Sequence, residues 1–295
     1  MNSNYFIFLN IIGFIFVYLS KKYYVSMETI SGIIKGLYYI YYLNDKEVNE
    51  NLIKQNLKIG CESILDLCHI NLKINGFKII DQPILYISNH SSWIDSVILK
   101  YLLLDAKTIA KSDTNEEIAA TGGDKSFFMK KMSNVIDSIL KSWGVIYYKR
   151  GSKKGSKGGA AVREKIKEHI KVNNGSILLY PEGTSYPIGG PRSFYPGSFE
   201  TAFENDILIQ PITIKYETDI TWGVDSEYAK KYHIDTMRNI HQCQKNKINN
   251  VNVTFHPIIN PKKFKDHLNM KKYCEIVITD EWINQHNYKN SSTIN

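Results

Sequence analysis

Twice in this chain a short apolar run breaks directly into a polar turn. Residues 83–88, Pro-Ile-Leu-Tyr-Ile-Ser, lead into Asn89-His90-Ser91-Ser92-Trp93-Ile94-Asp95, and residues 176–180, Ser-Ile-Leu-Leu-Tyr, lead into Pro181-Glu182-Gly183-Thr184. Apolar runs this short, bounded by proline and other turn residues, suit buried strands better than helices. After the first run, Ser92 is followed three places on by Asp95 and then by Val97, Ile98, Tyr101 and Leu102, which is the pattern of a helix N-terminus. Strand, turn and helix in that order restrict the chain to an α/β fold. In open α/β sheets ligands bind at the carboxyl ends of strands, so both turns belong at one edge of the sheet. The wider pattern predicts strands near 71–75, 83–88, 106–111, 144–149, 176–180, 207–216 and 251–256. Helices are expected near 92–104, 126–142, 158–172 and 268–286, giving a mixed sheet flanked by helices.

His90 falls in the first turn, five residues before Asp95. On one continuous helix the two side chains would point about 140° apart, but a turn ahead of the cap lets the carboxylate reach back to the ring. An imidazole titrating near ~6.5 can accept a proton at physiological pH. A carboxylate on its other nitrogen fixes the tautomer and stabilises the imidazolium, as in a serine triad that has no protein nucleophile. In the second turn, Glu182 can either hydrogen-bond a substrate hydroxyl or brace the loop, and Gly183 permits close backbone approach. No Gly-x-Ser-x-Gly elbow occurs, so a lipase-like protein nucleophile is not indicated.

These blocks resemble those of the glycerolipid acyltransferase family, whose first block is Asn-His-x4-Asp and whose third is Pro-Glu-Gly-Thr. A second block, glycine and an aromatic leading to arginine, is matched by Gly144-Val145-Ile146-Tyr147-Tyr148-Lys149-Arg150. A fourth, an apolar strand with a central proline, is matched by residues 207–214 around Pro211. The resemblance covers about residues 70–216, in the family's order. It implies an α/β acyltransferase-like mixed sheet, with His90 as general base and Asp95 as its catalytic partner. Acceptor binding is implied for Asn89, Arg150, Glu182, Gly183 and Thr184. The bland alternative for Lys149-Arg150 is a solvated strand end, although a guanidinium fork suits a phosphate. The implied reaction moves a fatty acyl group from acyl-CoA, or from acyl-carrier protein, to the free hydroxyl of a lysophospholipid. The tetrahedral oxyanion is then expected on backbone amides near the helix opened by Ser92. No metal and no further cofactor are called for.

Two departures bear on the acceptor. Many phosphatidic acid-forming members carry arginine after Gly-Thr and lysine in a following Phe-Lys-x-Gly turn. This chain has Ser185 and Tyr195 there, with Arg192 or Lys153, Lys154 and Lys157 as candidate replacements. Residues 183–222 are more similar to lysophosphatidylcholine and lysophosphatidylethanolamine acyltransferases. A 1-acylglycerol-3-phosphate acyltransferase is the alternative within enzymes, and a non-catalytic lipid-binding scaffold is the alternative outside them.

Residues 5–19 are almost wholly apolar, with no charged side chain before Lys21-Lys22. About 20 helical residues cross a ~30 Å hydrocarbon core, so an N-terminal membrane-anchoring helix is expected, single-pass or monotopic. The segment lacks a basic start and a small-x-small cleavage site, and its C-terminal lysines predict a catalytic body facing the cytosol. Ile30, Ile33, Ile34, Leu37 and Tyr41 recur at helical spacing beside Tyr38, Tyr39 and Tyr42, a pattern shared by interfacial and amphipathic core helices. The expected division is an anchor and interfacial segment over 1–45, an acyltransferase domain over 46–286 and a disordered tail over 287–295. A net charge of +8 fits anionic lipid or acyl-CoA. Nucleic acid is not expected, since no helix-turn-helix, RNA-recognition or zinc motif accompanies the charge. Cys61, Cys68, Cys243 and Cys274 form no C-x-x-C pair and read as reduced, non-metal cysteines. No motif assigns an oligomeric state.

Overall fold

The computed structural model describes residues 50–79, 81–111, 144–148, 158–185, 190–217 and 243–292. Within them seven strands form one sheet: β1 (Ile70–Asn75), β2 (Leu85–Ser88), β3 (Lys107–Lys111), β4 (Val145–Tyr148), β5 (Ile177–Leu179), β6 (Ile209–Tyr216) and β7 (Asn249–Phe255). Their order across the sheet is β1-β7-β6-β2-β5-β3-β4. Strands β6, β2, β5, β3 and β4 run parallel, whereas β7 lies antiparallel to β6 and carries β1 parallel to itself. The sheet is therefore mixed, as the sequence pattern indicates.

Burial explains which runs became which strands. Central β2 is buried at every position, the mark of a parallel strand covered on both faces. Ile84 and Tyr86 enter one core while Leu85 and Ile87 enter the other. Edge strand β1 is mostly exposed, and β7 alternates strictly between buried and half-buried. On one face pack α1 (Glu50–Leu67) and α2 (Ile94–Leu102), through Leu57, Cys61 and Leu65 against Val97, Ile98 and Leu99. The other face takes α3 (Gly158–Lys167, prolonged by a π turn to Val172), α4 (Gly197–Glu204) and α5 (His267–Ser292). Their contributions include Ile166, Ile170, Phe199, Ala202, Met270 and Ile278.

Several boundaries differ from the sequence reading. Helix α2 starts at Ile94, not at Ser92, because Ser92 stays outside the helix and its hydroxyl accepts the Ile94 amide. Helix α5 runs on to Ser292, through most of the segment 287–295 read as a disordered tail. Helix α4 was not anticipated, although Pro196 followed by Phe199, Ala202 and Phe203 has helical spacing. Among the described residues no helix is long and apolar enough to cross a membrane. The anchor expected over 1–45 and the helix expected over 126–142 lie outside the described residues.

Candidate active site

Strand register brings the two polar turns together. Ile87 pairs with Leu179 across parallel β2 and β5, so Asn89-His90 and Tyr180-Pro181-Glu182 leave neighbouring strand ends on the same edge. The chain then wraps tightly around one carboxylate. Asp95 Oδ2 accepts from the backbone amides of Ser91 at 2.7 Å and Ser92 at 2.8 Å, and stands 3.0 Å from His90 Nδ1. The bond back to Ser92 is one half of a capping box, formed by an acid three places into the turn. Its other oxygen, Oδ1, accepts from the Tyr216 hydroxyl.

Asp95 has no exposed side-chain surface, whereas the His90 side chain keeps 18% of its surface. With Nδ1–H donated to the carboxylate, the lone pair sits on Nε2, at the other side of the ring. The Tyr180 ring stacks on the imidazole, with centroids 4.2 Å apart and planes 20° from parallel. Orientation is thus set from a carboxylate on one nitrogen and an aromatic face on the plane.

Glu182 is buried, and both its oxygens hold backbone amides: Oε1 accepts from His90 N at 2.7 Å and Oε2 from Arg192 N at 2.9 Å. Of the two roles the sequence allowed, these bonds are those of a brace. Burial pushes its carboxyl up to about 7, against the downward pull of those two amide bonds. Asn89 is likewise bonded within the protein. Completely buried, its amide donates to Ile214 O at 2.9 Å and its carbonyl accepts from Ile214 N at 2.8 Å, tying the His90 turn to β6. A side chain so enclosed positions the loop. The amides of His90, Ser91, Ser92 and Ile94 are all engaged by protein acceptors.

Gly183 has φ +74°, and a Cβ there would stand 2.9 Å from Tyr195 Cε2. Only glycine suits both the left-handed backbone and the close approach of that ring. Thr184 is exposed beside it, and Tyr195 keeps 59% of its surface. Arg150 lies outside the described residues, as do the loops expected over 113–125 and most of 218–250. Sequence reasoning singled out neither Tyr180 nor Tyr216 for the site. The signal for Tyr216 was its parity with Ile212 and Ile214, which places it on the Asp95 face of β6. Among the described residues no group of three or more His, Cys, Asp or Glu could hold a metal ion.

Against known proteins, a family model described as Acyltransferase matches residues 68–215. Among solved structures, the chain is similar to the crystal structure of the 1-acyl-sn-glycerophosphate (LPA) acyltransferase, PlsC, from Thermotoga maritima. The TM-score is 0.57 at 16% identity, with 95% of this chain and 95% of that chain covered. At that identity the likeness concerns the fold alone. No curated protein matches the chain.

Proposed function

This chain belongs to the acyltransferase family whose model spans residues 68–215, and from that premise we propose that it transfers a fatty acyl group from a thioester donor to the free hydroxyl of a lysophospholipid. The observation that carries the reading is the partly exposed His90 held against buried Asp95 at 3.0 Å. In the proposed step, His90 Nε2 takes the proton of the acceptor hydroxyl as its oxygen attacks the thioester carbonyl carbon. The tetrahedral intermediate collapses, the carbon–sulfur bond breaks, and the thiolate takes the proton from the imidazolium. Acyl-CoA or acyl-carrier protein supplies the thioester. Gly183 and Thr184, with Arg150 from the second block, are proposed to hold the acceptor phosphate. The acyl chains place the reaction at a membrane, with residues 1–45 as the anchor and the catalytic body on the cytosolic face.

For the acceptor we favour lysophosphatidylcholine or lysophosphatidylethanolamine. Ser185 and exposed Tyr195 flank the acceptor loop without adding positive charge, and each charge-assisted contact to phosphate is worth ~1.5–3 kcal/mol. A phosphomonoester, with charge near about -2, loses more from their absence than a singly charged phosphodiester. One observation favours the alternative, 1-acylglycerol-3-phosphate. Arg192, whose amide rests on Glu182, has an exposed side chain beside the same loop. Full-length protein given radiolabelled acyl-CoA and equal amounts of the three lysolipids tests the choice. Higher kcat/KM for the choline or ethanolamine acceptor is expected, and Ser185→Arg should narrow the ratio. A clear wild-type preference for lysophosphatidic acid selects the alternative, and transfer to none of them selects the scaffold.

A further inference from the structure

Strand β6 is longer than its parallel neighbour. The register pairs Ser88, the last residue of β2, with Ile212, and β6 continues to Tyr216 past the point where β2 has turned into the His90 loop. That overhang is held on its far side by antiparallel pairing to β7, with Tyr216 opposite Val251 and the Glu217 amide donating to Asn250 O at 3.0 Å. On its near side Asn89 clasps Ile214 through both ends of its amide. The alternation of a strand then puts Ile212, Ile214 and Tyr216 on one face, directly over the buried carboxylate.

We propose that Tyr216 is a positioning residue for the general base: its hydroxyl holds Asp95 Oδ1, and through that bond sets the orientation and effective charge of the carboxylate that His90 feels. Asp95 Oδ2 serves His90 Nδ1 and the Ser91 and Ser92 amides, while Tyr216 engages Oδ1. The carboxylate turns about its Cβ–Cγ bond. A donor on Oδ1 stops that turn, and so keeps Oδ2 in line with the imidazole. It also draws charge toward Oδ1 of a carboxylate that has no exposed surface, where such a bond is stronger than in water.

The direction of donation is settled by the neighbours. Burial, and then the charge of Asp95, raise the Tyr216 phenol well above its ordinary value, so it keeps its proton and donates. Ser92 hydrogen-bonds the same hydroxyl, which extends the chain from Ser92 through Tyr216 to Asp95. Among the described residues, the other titratable groups facing this cluster are His90, Tyr180 and Glu182. Tyr180 is also raised well above the ordinary phenol range, chiefly by burial, and stays neutral. Glu182 contacts the cluster through the His90 backbone amide, on a bond independent of Tyr216. Removing the Tyr216 hydroxyl therefore leaves more negative charge on the carboxylate facing His90, and the imidazolium is stabilised.

The inference rests on the acyltransferase reading only for what the base acts upon, so the test reads the network directly. The His90 ring titration in full-length protein carrying ¹³C-labelled histidine, assigned by its loss in His90→Gln, is compared between wild type and Tyr216→Phe. Its midpoint should move upward by about half a pH unit or more. With radiolabelled acyl-CoA, kcat should fall about tenfold or more with KM within about twofold, and the acid limb of the pH profile should move up with the titration. Incorporation of 3-fluorotyrosine at position 216 preserves shape and makes the phenol a stronger donor. It should move the His90 midpoint downward, which a packing role would not do, and it decides the matter if Tyr216→Phe fails to fold. An unchanged His90 titration with 3-fluorotyrosine overturns the proposal, and so does an unchanged titration in folded Tyr216→Phe. If wild type acylates no lysolipid, the functional reading fails while the two titrations still decide the role of Tyr216.

Discussion

Burying a carboxylate without partners costs far more than any one hydrogen bond returns, so the surroundings of Asp95 are a requirement of the fold as much as of the chemistry. The Ser91 and Ser92 amides, His90 and Tyr216 meet that requirement between them. His90 carries the proton acceptor of the proposed step, and its loss should remove the chemistry with little loss of stability, since the Ser91, Ser92 and Tyr216 donors to Asp95 remain. We expect His90→Ala to lower acyl transfer by ~10²- to 10⁴-fold, the usual contribution of a positioned general base, with an unchanged melting temperature. Asp95→Asn should be milder. An asparagine can turn its oxygen to the Ser91 and Ser92 amides and its NH2 toward Tyr216, whose oxygen can accept, so geometry survives while the charge is lost. Retention of more than about a tenth of wild-type turnover by His90→Ala would reassign the base.

At the scale of elements, Glu182 is the joint between two loops. It fastens the turn after β2 to the segment before α4, since its oxygens hold the amides of His90 and Arg192. A carboxylate accepts from both amides, whereas glutamine must present NH2 to one of them. Glu182→Gln should therefore loosen one loop and reduce turnover. The pH dependence has a definite sign. Because burial raises the folded carboxyl from 4.5 to about 7, the native state binds more protons than the unfolded chain between those values. The stability this group contributes is full below 4.5 and is lost as pH rises through about 7. Melting temperatures of wild type and Glu182→Gln across that range isolate the effect: the advantage of wild type should shrink with rising pH. A constant difference would place the titration elsewhere. Across the sheet, β6 is clamped to α5, with Thr213 donating to Ile278 O at 3.3 Å and Lys215 Nζ to Trp282 O at 2.6 Å. The strand that holds Asn89 and Tyr216 over the site is thereby fixed from behind.

For the whole molecule, the ordered blocks that carry the site lie between about residues 70 and 216, well after the apolar N-terminal segment. Deleting residues 1–22 should leave the catalytic body folded and shift much of the protein from membrane to soluble fractions. Circular dichroism and fractionation measure the two outcomes. Retention of the truncated chain in the membrane fraction would assign membrane binding to the body, and release of the full chain by carbonate would rule out a spanning helix. Within the body, burial pushes the Cys61 and Cys274 thiols up to about 12, which keeps them protonated in the core.

Local chemistry reaches only as far as neighbouring residues, and the limits of the sequence follow from that. Short apolar runs, their bounding turn residues and the ordered blocks determined the α/β class, the positions of the strands and the pairing of His90 with Asp95. Each of those depends on spacing within a few residues. Which side chains surround the pair was a different question. The partners of Asn89 and Glu182 within the protein, Ile214 and the Arg192 amide, come within reach only once β2 lies parallel between β5 and β6. Tyr216 lies far along the chain from Asp95, and its parity with Ile212 and Ile214 gives its face of the strand but not its partner. Only the overhang of β6 beyond β2 carries it over the carboxylate, a consequence of strand order and length that no local pattern encodes.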